Sequence, residues 1–356
     1  MKQSFMKTSY SPEDVTILLK DISGKVTPLP TEQREMLNQT GTHYSEMLPL
    51  EYKPSDKYME AYKSALKDYS SATAKAISIM AEKIFEEKGE GLVIVSLARA
   101  GIPIGVLTKR YIEKRHKIKV FHYSISIIRD KGIDKNAMQY ILNRHDPQKI
   151  QFLDGWVGKG AIFRELQDAL NDYPMINPSL AVVSDPANLT DYCGTHEDIL
   201  IPSSCLNAVV TGLISRTFFR KDIIRDNDFH GAVYYADLEN EDLSYEFIET
   251  IERQFDWFAG TKIDILDFNG MDVVNKISTH YRVGNINYIK PGIGETTRVL
   301  LRRIPWKILI NSKYVDSPEL SHIIALASEK KVDIEMCPFS LGSYKACGII
   351  RQLSDV

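Results

Sequence analysis

The chain has 356 residues, of which 44% are hydrophobic and 26% charged, a composition typical of a globular protein of two or three domains. Its 44 Lys and Arg against 47 Asp and Glu leave a formal net charge of −3, which excludes a global electrostatic attraction to nucleic acid or membranes. Residues 1–7 lack the apolar core of a signal peptide, no apolar run is long enough for a membrane span, and the four cysteines form no CxxC pair, so we expect a cytoplasmic protein.

The first region of the chain is punctuated by prolines. Residues 1–55 contain five of them, and a proline ring removes a backbone donor and interrupts regular elements. We therefore predict that residues 1–65 form an N-terminal arm with short elements. A helical spacing of apolar residues runs from Tyr58 to Lys88 and predicts a long helix or a helix pair.

Short apolar runs then alternate with helical patterns. They predict strands at 91–96, 117–128, 150–153 and 180–184, and helices at 104–114, 135–143 and 161–170. This alternation is typical of a mostly parallel sheet flanked by helices, which we assign to a domain at residues 66–260. Ligands of such sheets bind beyond the carboxyl ends of the strands. Charged residues follow the predicted strands at five positions: Arg99, Arg129, Asp134, Asp154 and Asp185.

A glycine-rich turn follows the strand at 150–153 and opens a helix at Ala161. Its residues Gly158, Lys159 and Gly160 direct backbone N–H groups and a helix N-terminus toward one point, an arrangement that favours phosphate. Asp154, at the predicted end of the strand, is placed to bind a sugar hydroxyl or a metal. The glycine spacing fits neither a Walker loop nor a Rossmann fingerprint, so an ordinary strand-to-helix turn is the alternative.

Two further segments near strand ends contain cations. The turn from Ser96 to Gly101 presents Arg99, whose guanidinium suits phosphate oxygens, although a structural ion pair is the alternative. The segment from Arg129 to Asp134 contains two cations and two acids. We predict a loop that closes over a phosphorylated substrate, with a solvated connection as the alternative.

Cysteine and histidine residues suggest a different chemistry. Cys193 and His196 are separated by two residues, Cys205 follows closely, and His230 is a second candidate base. A cysteine hydrolase needs a thiolate activated by an imidazole that a third polar group orients. Since such groups usually meet only in the folded protein, buried free thiols are the alternative interpretation.

The C-terminal region, residues 285–356, differs in charge from the rest. Ten Lys and Arg against seven Asp and Glu give it a net charge of 10 − 7 = +3. A glycine turn at Gly294 enters a helix with Glu295 and Arg298 on one face and Arg302 one turn further on. This pattern suits base edges and phosphates of RNA, with a capped surface helix that carries charge pairs as the alternative. A strand at 306–310 and a helix near 319–328 complete a small predicted α/β/α unit.

Six segments between residues 9 and 250 resemble, as a set, one family. It is described both as phosphoribosyltransferase-like proteins of tellurite-resistance and stress-response operons and as cysteine protease StiP. The region from about residue 285 resembles the pelota-type RNA-binding domain, in which an Asn-Glu-x-x-Lys pattern contacts RNA; Gly294-Glu295-Thr-Thr-Arg298 aligns with it, without the Asn. The six segments are residues 9–15, 41–47, 95–101, 122–129, 152–160 and 212–217.

The resemblance implies a type I phosphoribosyltransferase-like enzyme that binds phosphoribosyl pyrophosphate with Mg²⁺, joined to an RNA-binding tail. Gly158, Lys159, Gly160 and the adjoining Ala161 would hold the 5′-phosphate. Asp154 would hold the ribose hydroxyls and, through them, the Mg²⁺, while Arg99 and Gly101 would meet pyrophosphate. A homodimer is a further expectation, since dimers are common in that class. The alternatives are a cysteine hydrolase and a non-catalytic protein that binds nucleotide and RNA.

Overall fold

The structure, a computed structural model, describes residues 5–264 and 266–352 of the chain. The outermost residues of the predicted arm and of the predicted C-terminal domain lie outside the described residues, as do four of the seven residues that argued against a signal peptide. Within the described ranges, no helix combines the length and the apolarity needed to cross a membrane.

The described ranges contain fourteen strands, which we number in chain order. They are β1 (Thr16–Ile17), β2 (Lys20–Asp21), β3 (Val93–Leu97), β4 (Phe121–Ile125), β5 (Ile127–Ile128), β6 (Gly132–Ile133), β7 (Ile150–Trp156), β8 (Leu180–Ser184), β9 (Cys193–Thr195), β10 (Gly231–Ala232), β11 (Ile289–Pro291), β12 (Pro305–Ile310), β13 (Asp333–Met336) and β14 (Ala346–Ile350). The same ranges contain nine α-helices: α1 (Thr31–Gln39), α2 (Asp56–Lys88), α3 (Gly101–His116), α4 (Lys135–Leu142), α5 (Ala161–Leu170), α6 (Ser244–Glu252), α7 (Gly270–His280), α8 (Ile293–Arg302) and α9 (Ser321–Glu329).

A six-stranded sheet forms the centre of the larger unit. Its order is β1-β4-β3-β7-β8-β9, and every neighbouring pair is parallel. Strand β3 is buried along its whole length, because helices cover both faces of the sheet. Ile94 packs into the core that contains α2 and α3, whereas Val93 and Val95 pack into the core that contains α4 and α5. The predicted parallel sheet flanked by helices is confirmed.

A four-stranded sheet forms the smaller, C-terminal unit. Its order is β11-β14-β12-β13, with β12 antiparallel to β14 and parallel to β13. Helices α8 and α9 pack on each other, and α7 packs beside β11. This confirms the small C-terminal α/β unit that the sequence predicted.

Strand β7 is longer than predicted. We expected it to end at Leu153, but Asp154 and Trp156 pair with β8, so the strand continues through Trp156. The start of α3 passes close to this part of the strand. A Cβ at Gly101 would lie 2.7 Å from the carbonyl oxygen of Leu153, so only glycine allows the approach.

Helix α2 runs without a break from Asp56 to Lys88, across residue 65, where we placed the end of the arm. Its buried face lies against α3 and against β8 and β9 of the sheet. The apolar spacing from Tyr58 onward therefore describes one continuous helix, which links the predicted arm to the sheet.

Candidate functional site

Cys193 lies in β9, at the edge of the six-stranded sheet, and pairs with Val182 of β8. The next residue, Gly194, packs so closely on α2 that a Cβ there would lie 2.0 Å from the carbonyl oxygen of Ala76. Cys193 itself is fully buried, at 0% exposure. Close packing of strand and helix therefore fixes the position of the thiol.

Cys193, His196 and Asp185 meet in one group, which we call the Cys193 cluster. The Cys193 sulfur lies 3.7 Å from Nδ1 and 3.6 Å from Nε2 of His196. Nδ1 is 3.0 Å from the backbone carbonyl oxygen of Asp185 and 3.7 Å from its carboxylate. An Nδ1–H that donates to this carbonyl leaves Nε2 unprotonated, so Nε2 can accept the proton of the thiol.

The surroundings of the cluster keep its thiol neutral. Burial, assisted by the nearby carboxylate of Asp185, raises the pKa of Cys193 to about 12. Burial also raises the pKa of Asp185, whose Oδ2 accepts a hydrogen bond from the Thr190 amide at 2.8 Å. The other oxygen, Oδ1, is buried and has no hydrogen-bond partner among the described residues. The cluster is thus assembled with its proton still on sulfur.

The same three side chains have the composition of a metal site. One ligand atom each from Asp185, Cys193 and His196 lie within 4.8 Å of one another. Thiolate, imidazole and carboxylate are the ligands that Zn²⁺ takes, and three protein ligands leave a fourth position open. Among the described residues, this is the group that could hold a metal ion through Cys, His and Asp together.

The other predicted nucleophile and base are not paired in this way. Cys205 is 1% exposed, and burial raises the pKa of its thiol to about 12. His230 lies 2.8 Å from the Ser126 hydroxyl through Nδ1, and its amide donates to Asp134. Within the described residues, neither Cys205 nor His230 takes part in a cysteine–histidine contact.

The predicted closing segment, from Arg129 to Asp134, forms part of the antiparallel β5–β6 hairpin. The carboxylate of Glu165 in α5 accepts the amides of Asp130 and Gly132, which fixes the turn. Asp134 caps α4 by accepting the amides of Asn136 and Ala137, and is 1% exposed. Asp134 is thereby placed as a structural cap in this state of the protein.

The glycine turn faces the C-terminal unit. The Lys159 ammonium donates to the carbonyl oxygens of Ile286 and Ile289, and burial lowers its pKa to about 7. The carbonyl of Gly158 accepts a 2.6 Å hydrogen bond from the Tyr344 hydroxyl. Burial raises the pKa of Asp154 to about 6. A cavity of about 250 Å³ remains beside the turn, lined among others by Arg129, Asp154, Gly158, Lys159, Gly160, Ala161, Lys290, Glu295 and Arg298.

The helix face predicted to contact RNA lies against the larger unit. A Cβ at Gly294 would lie 3.3 Å from the Trp156 ring, and the Arg298 guanidinium lies 4.4 Å from the centre of that ring. Arg302 donates to the carbonyl of Leu206. Gly294, Arg298 and Arg302 are therefore contact residues between the two units.

Asp198 joins the two units at the start of α8. Its carboxylate accepts the amide of Ile293 at 3.0 Å through both oxygens, and the amide of Lys345 at 2.8 Å. Burial raises its pKa to about 6. A buried carboxyl from the larger unit thus caps a helix of the smaller one.

A second cavity, of about 360 Å³, adjoins the first and shares Lys290, Glu295 and Arg298 with it. We call it the arginine pocket. Its lining includes eight Lys and Arg side chains and two carboxylates, so its formal charge is 8 − 2 = +6. The charged residues are Arg34, Lys53, Arg99, Arg216, Lys290, Arg298, Arg302 and Arg303, with Glu51 and Glu295.

Comparison with known proteins identifies relatives of both units. Residues 8–252 match a family described as tellurite-like stress resistance cysteine protease StiP, and residues 268–352 match the PELOTA RNA binding domain. The cysteine protease StiP of Acinetobacter baylyi (strain ATCC 33305 / BD413 / ADP1) is 35% identical over 374 aligned positions. The alignment covers 99% of this chain and 96% of that protein. Both predicted resemblances are confirmed.

The expected reaction, however, is wrong. We predicted a phosphoribosyltransferase acting on phosphoribosyl pyrophosphate, whereas the matching family and the relative are described as cysteine proteases, which are hydrolases. The error has a physical reason: a glycine-rich turn between strand and helix positions backbone amides in many α/β proteins and does not select a reaction. The Mg²⁺ and the homodimer are untested and stay predictions.

Proposed function

Since the chain belongs to the family of tellurite-like stress resistance cysteine proteases, we propose that it is a cysteine hydrolase that cleaves peptide bonds at the Cys193 cluster. One observation supports the choice of residue. Within the described chain, Cys193 is the cysteine whose sulfur lies beside a histidine ring, and that ring is in turn held by Asp185.

The proposed reaction begins with proton transfer from the Cys193 sulfur to Nε2 of His196. The sulfur attacks the peptide carbonyl carbon, and the leaving amine takes the proton from His196, which produces a thioester and a free amine. Water, deprotonated by the same imidazole, then cleaves the thioester to a carboxylic acid and regenerates the thiol. The Asp185 carbonyl keeps Nδ1 protonated throughout, so Nε2 remains the exchanging nitrogen.

Two features of the site set the conditions for this reaction. Because burial raises the pKa of Cys193 to about 12, the thiol is protonated at neutral pH and needs the imidazole as its base. Because Cys193 is 0% exposed, a peptide reaches the sulfur only when the residues that pack over β9 move apart. The rate of thiol alkylation therefore reports on the same opening that admits substrate.

The experiment compares wild type with Cys193→Ser and Cys205→Ser in the digestion of a fluorogenic casein, after thermal melts have shown that each variant is folded. We expect Cys193→Ser to abolish cleavage and Cys205→Ser to retain it. Loss of cleavage in both folded variants, or in Cys205→Ser alone, would overturn the choice of Cys193. Cleavage that survives in Cys193→Ser would remove the cluster from the reaction.

A second proposed function is RNA binding by the C-terminal unit. The match of residues 268–352 to the PELOTA RNA binding domain supports it, as does the position of two cations of α8, Arg298 and Arg302, at an open cavity. Each cation that neutralises an RNA phosphate releases counterions, so affinity should fall steeply with salt.

RNA binding is measured with a fluorescent single-stranded RNA at low and moderate salt. We expect Arg298→Gln to weaken binding and to reduce the salt dependence, because one phosphate contact is lost. Arg144→Gln is the matched control, since Arg144 lies over Tyr140, away from α8. Absence of RNA binding by the wild type at low salt would contradict this function and leave the hydrolase proposal intact.

A further inference from the structure

The arginine pocket brings together more positive charge than the protein neutralises. Arg34 comes from α1, Arg99 from the turn after β3, Arg216 from the segment before β10, and Arg298 and Arg302 from α8. Like charges at such proximity repel one another, and a protein tolerates the arrangement when an anion completes it.

Three of the arginines donate to neutral groups of the protein. Arg99 donates to the carbonyl of Ile214 at 2.8 Å and to the Asn207 side chain at 2.6 Å, while Glu51 is 3.9 Å away. Arg302 donates to a backbone carbonyl, and Arg216 donates to two more. These bonds orient the three guanidinium groups. Glu51 is a counter-charge for Arg99, whereas Arg216 and Arg302 have no ion-pair partner among the described residues.

Some donors of the pocket have no partner at all. The Nε–H groups of Arg34, Arg216 and Arg298 are buried and make no hydrogen bond within the described residues. A buried guanidinium donor that is left unpaired destabilises the folded protein, because it has lost its hydrogen bonds to water. An anion with several oxygen atoms would supply acceptors that the protein lacks.

The ionisation of the arginines agrees with this. Burial, followed by the neighbouring arginines, lowers the pKa of Arg216 to about 10 and that of Arg302 to about 9. Both groups remain protonated at neutral pH, so the repulsion persists in the protein without ligand.

A purely structural role for the arginines accounts for less of the geometry. Arg303 shows what such a role looks like here, since its Nε lies 2.6 Å from the Glu35 carboxylate and the pair links the C-terminal unit to α1. Arg99, Arg216 and Arg298 line the same open volume of about 360 Å³, which is large enough for a small ligand. Arg298 and Arg99 have carboxylates at the longer distances of 3.5 and 3.9 Å, and Arg216 has none within ion-pair distance among the described residues.

The concentration of positive charge in the arginine pocket indicates which kind of anion fits it best. An internal RNA phosphodiester places one charge on each nucleotide, spread along the strand. A terminal polyphosphate places several charges and many acceptor oxygens at one point, which matches guanidinium groups that converge from several elements. The pocket suits a concentrated polyanion better than a chain that passes through.

We propose that the arginine pocket binds a polyphosphate group, with the 5′-triphosphate end of an RNA strand or a free polyphosphate as its source. Arg216 and Arg99 of the larger unit and Arg298 and Arg302 of the C-terminal unit hold the phosphate oxygens together. The RNA source depends on the proposed RNA binding, whereas the polyphosphate chemistry does not. The ligand binds between the two units and links them.

The test uses the full chain and three probes: a short RNA with a 5′-triphosphate, the same RNA with a 5′-hydroxyl, and inorganic tripolyphosphate. Affinities are measured by calorimetry at one fixed salt concentration. We expect the triphosphate RNA to bind at least about tenfold more tightly than the hydroxyl RNA. Tripolyphosphate should compete with the triphosphate RNA.

Three variants and a control assign the effect to the pocket. Arg216→Gln and Arg302→Gln should each lower affinity for tripolyphosphate roughly 10- to 100-fold, since each removes a charge-assisted contact. Arg302→Lys should recover part of the affinity because it restores the charge. Arg144→Gln, outside the pocket, should bind as wild type does, and thermal melts show which variants are folded.

The outcomes separate this inference from the proposed RNA binding. If both RNAs bind equally and tripolyphosphate does not bind, the pocket assignment is overturned and RNA binding stands. If tripolyphosphate alone binds, and does so through Arg216 and Arg302, the pocket is supported with a free polyphosphate as its ligand, and RNA binding fails. Tripolyphosphate binding that is unchanged in both folded variants overturns the pocket.

Discussion

The Cys193 cluster and the arginine pocket both contain buried polar groups, but those of the cluster can be neutral and those of the pocket are charged. In the cluster, a thiol, an imidazole and a carboxyl can each become neutral by holding or releasing a proton, so Cys193 and Asp185 are fully buried and the His196 side chain is 9% exposed. In the pocket the guanidinium groups are charged at every physiological pH, and Arg298 stays 30% exposed. Groups that can be neutralised by a proton can be buried without water, whereas permanent charges need solvent or a ligand.

This contrast predicts different responses of the two sites. The cluster is assembled but closed, so its chemistry depends on a proton acceptor and on opening. The pocket is open but electrostatically incomplete, so its behaviour depends on salt and on added anions. Four measurements test this difference, beginning with the one of largest expected effect.

Replacing His196 with Gln should cost roughly 10²–10⁴-fold in hydrolysis at neutral pH, the usual loss when a general base is removed. The residual activity should rise with pH, because hydroxide then takes over the ionisation of a thiol whose pKa is about 12. Casein digestion between pH 7 and 10 measures this, with Cys193→Ser as the variant that should stay inactive throughout. Full activity of His196→Gln at pH 7 would break the assignment of the base.

Asp198 is another buried group that can become neutral by holding a proton, and its raised pKa predicts that stability falls as the pH rises. Its pKa in the folded protein is about 6 against 3.8 in the unfolded chain, so the folded state binds the extra proton between these values. The protonated Asp198 contributes at most about 3 kcal/mol to the free energy of unfolding. This contribution is fully present below pH 3.8 and is lost as the pH rises through 6. Asp198→Asn cannot ionise and should lack this part of the pH dependence.

Chemical denaturation of wild type and Asp198→Asn from pH 4.5 to 7.5 measures that difference. The free energy of unfolding of the wild type should fall relative to the variant as pH rises. If the free energy of unfolding depends on pH in the same way for both proteins, Asp198 ionises in the folded state without destabilising it. Asp198 would then cap α8 as a carboxylate and would differ from the neutral groups of the Cys193 cluster.

A metal ion offers another way to neutralise the Cys193 cluster. Because the ligand atoms of Asp185, Cys193 and His196 lie within 4.8 Å, micromolar Zn²⁺ should occupy the thiolate and inhibit hydrolysis at least about tenfold. A chelator should restore the activity. Cys205→Ser should be inhibited equally, and inhibition that disappears in this control would place the metal elsewhere.

The sequence predicted most helices and strands of the sheet, but few of the contacts between residues that are distant in the chain. Residues 161–170 and 180–184 were predicted with the bounds that the structure shows, because their apolar periodicity is strong and uninterrupted. Strand β9 was missed, since three residues that include Gly194 give no periodic signal. Long apolar runs report burial, and short polar strands do not.

The two sites illustrate the same limit. The spacing of Cys193 and His196 was visible, but Asp185 joins them only because the chain returns along the edge of β8. Arg34 and Arg216 are far apart in the chain and reach one cavity through the folding of α1 and of the segment before β10. The sequence indicates which residues are capable of the chemistry, whereas the tertiary structure determines which of them are in contact.

The smallest expected effect concerns the stability of the pocket without ligand. Arg302→Gln removes one of several repelling charges and keeps a donor for the Leu206 carbonyl, so at low salt it should stabilise the protein by about 0.5 kcal/mol. The gain should vanish near 1 M salt, where the screening length is about 3 Å. Thermal melts of wild type and variant across a salt series measure it, with Arg144→Gln as the reference for a surface arginine. A variant less stable than wild type at every salt concentration would mean that Arg302 joins the two units by its hydrogen bond, and the pocket would then resemble the Cys193 cluster in being satisfied from within.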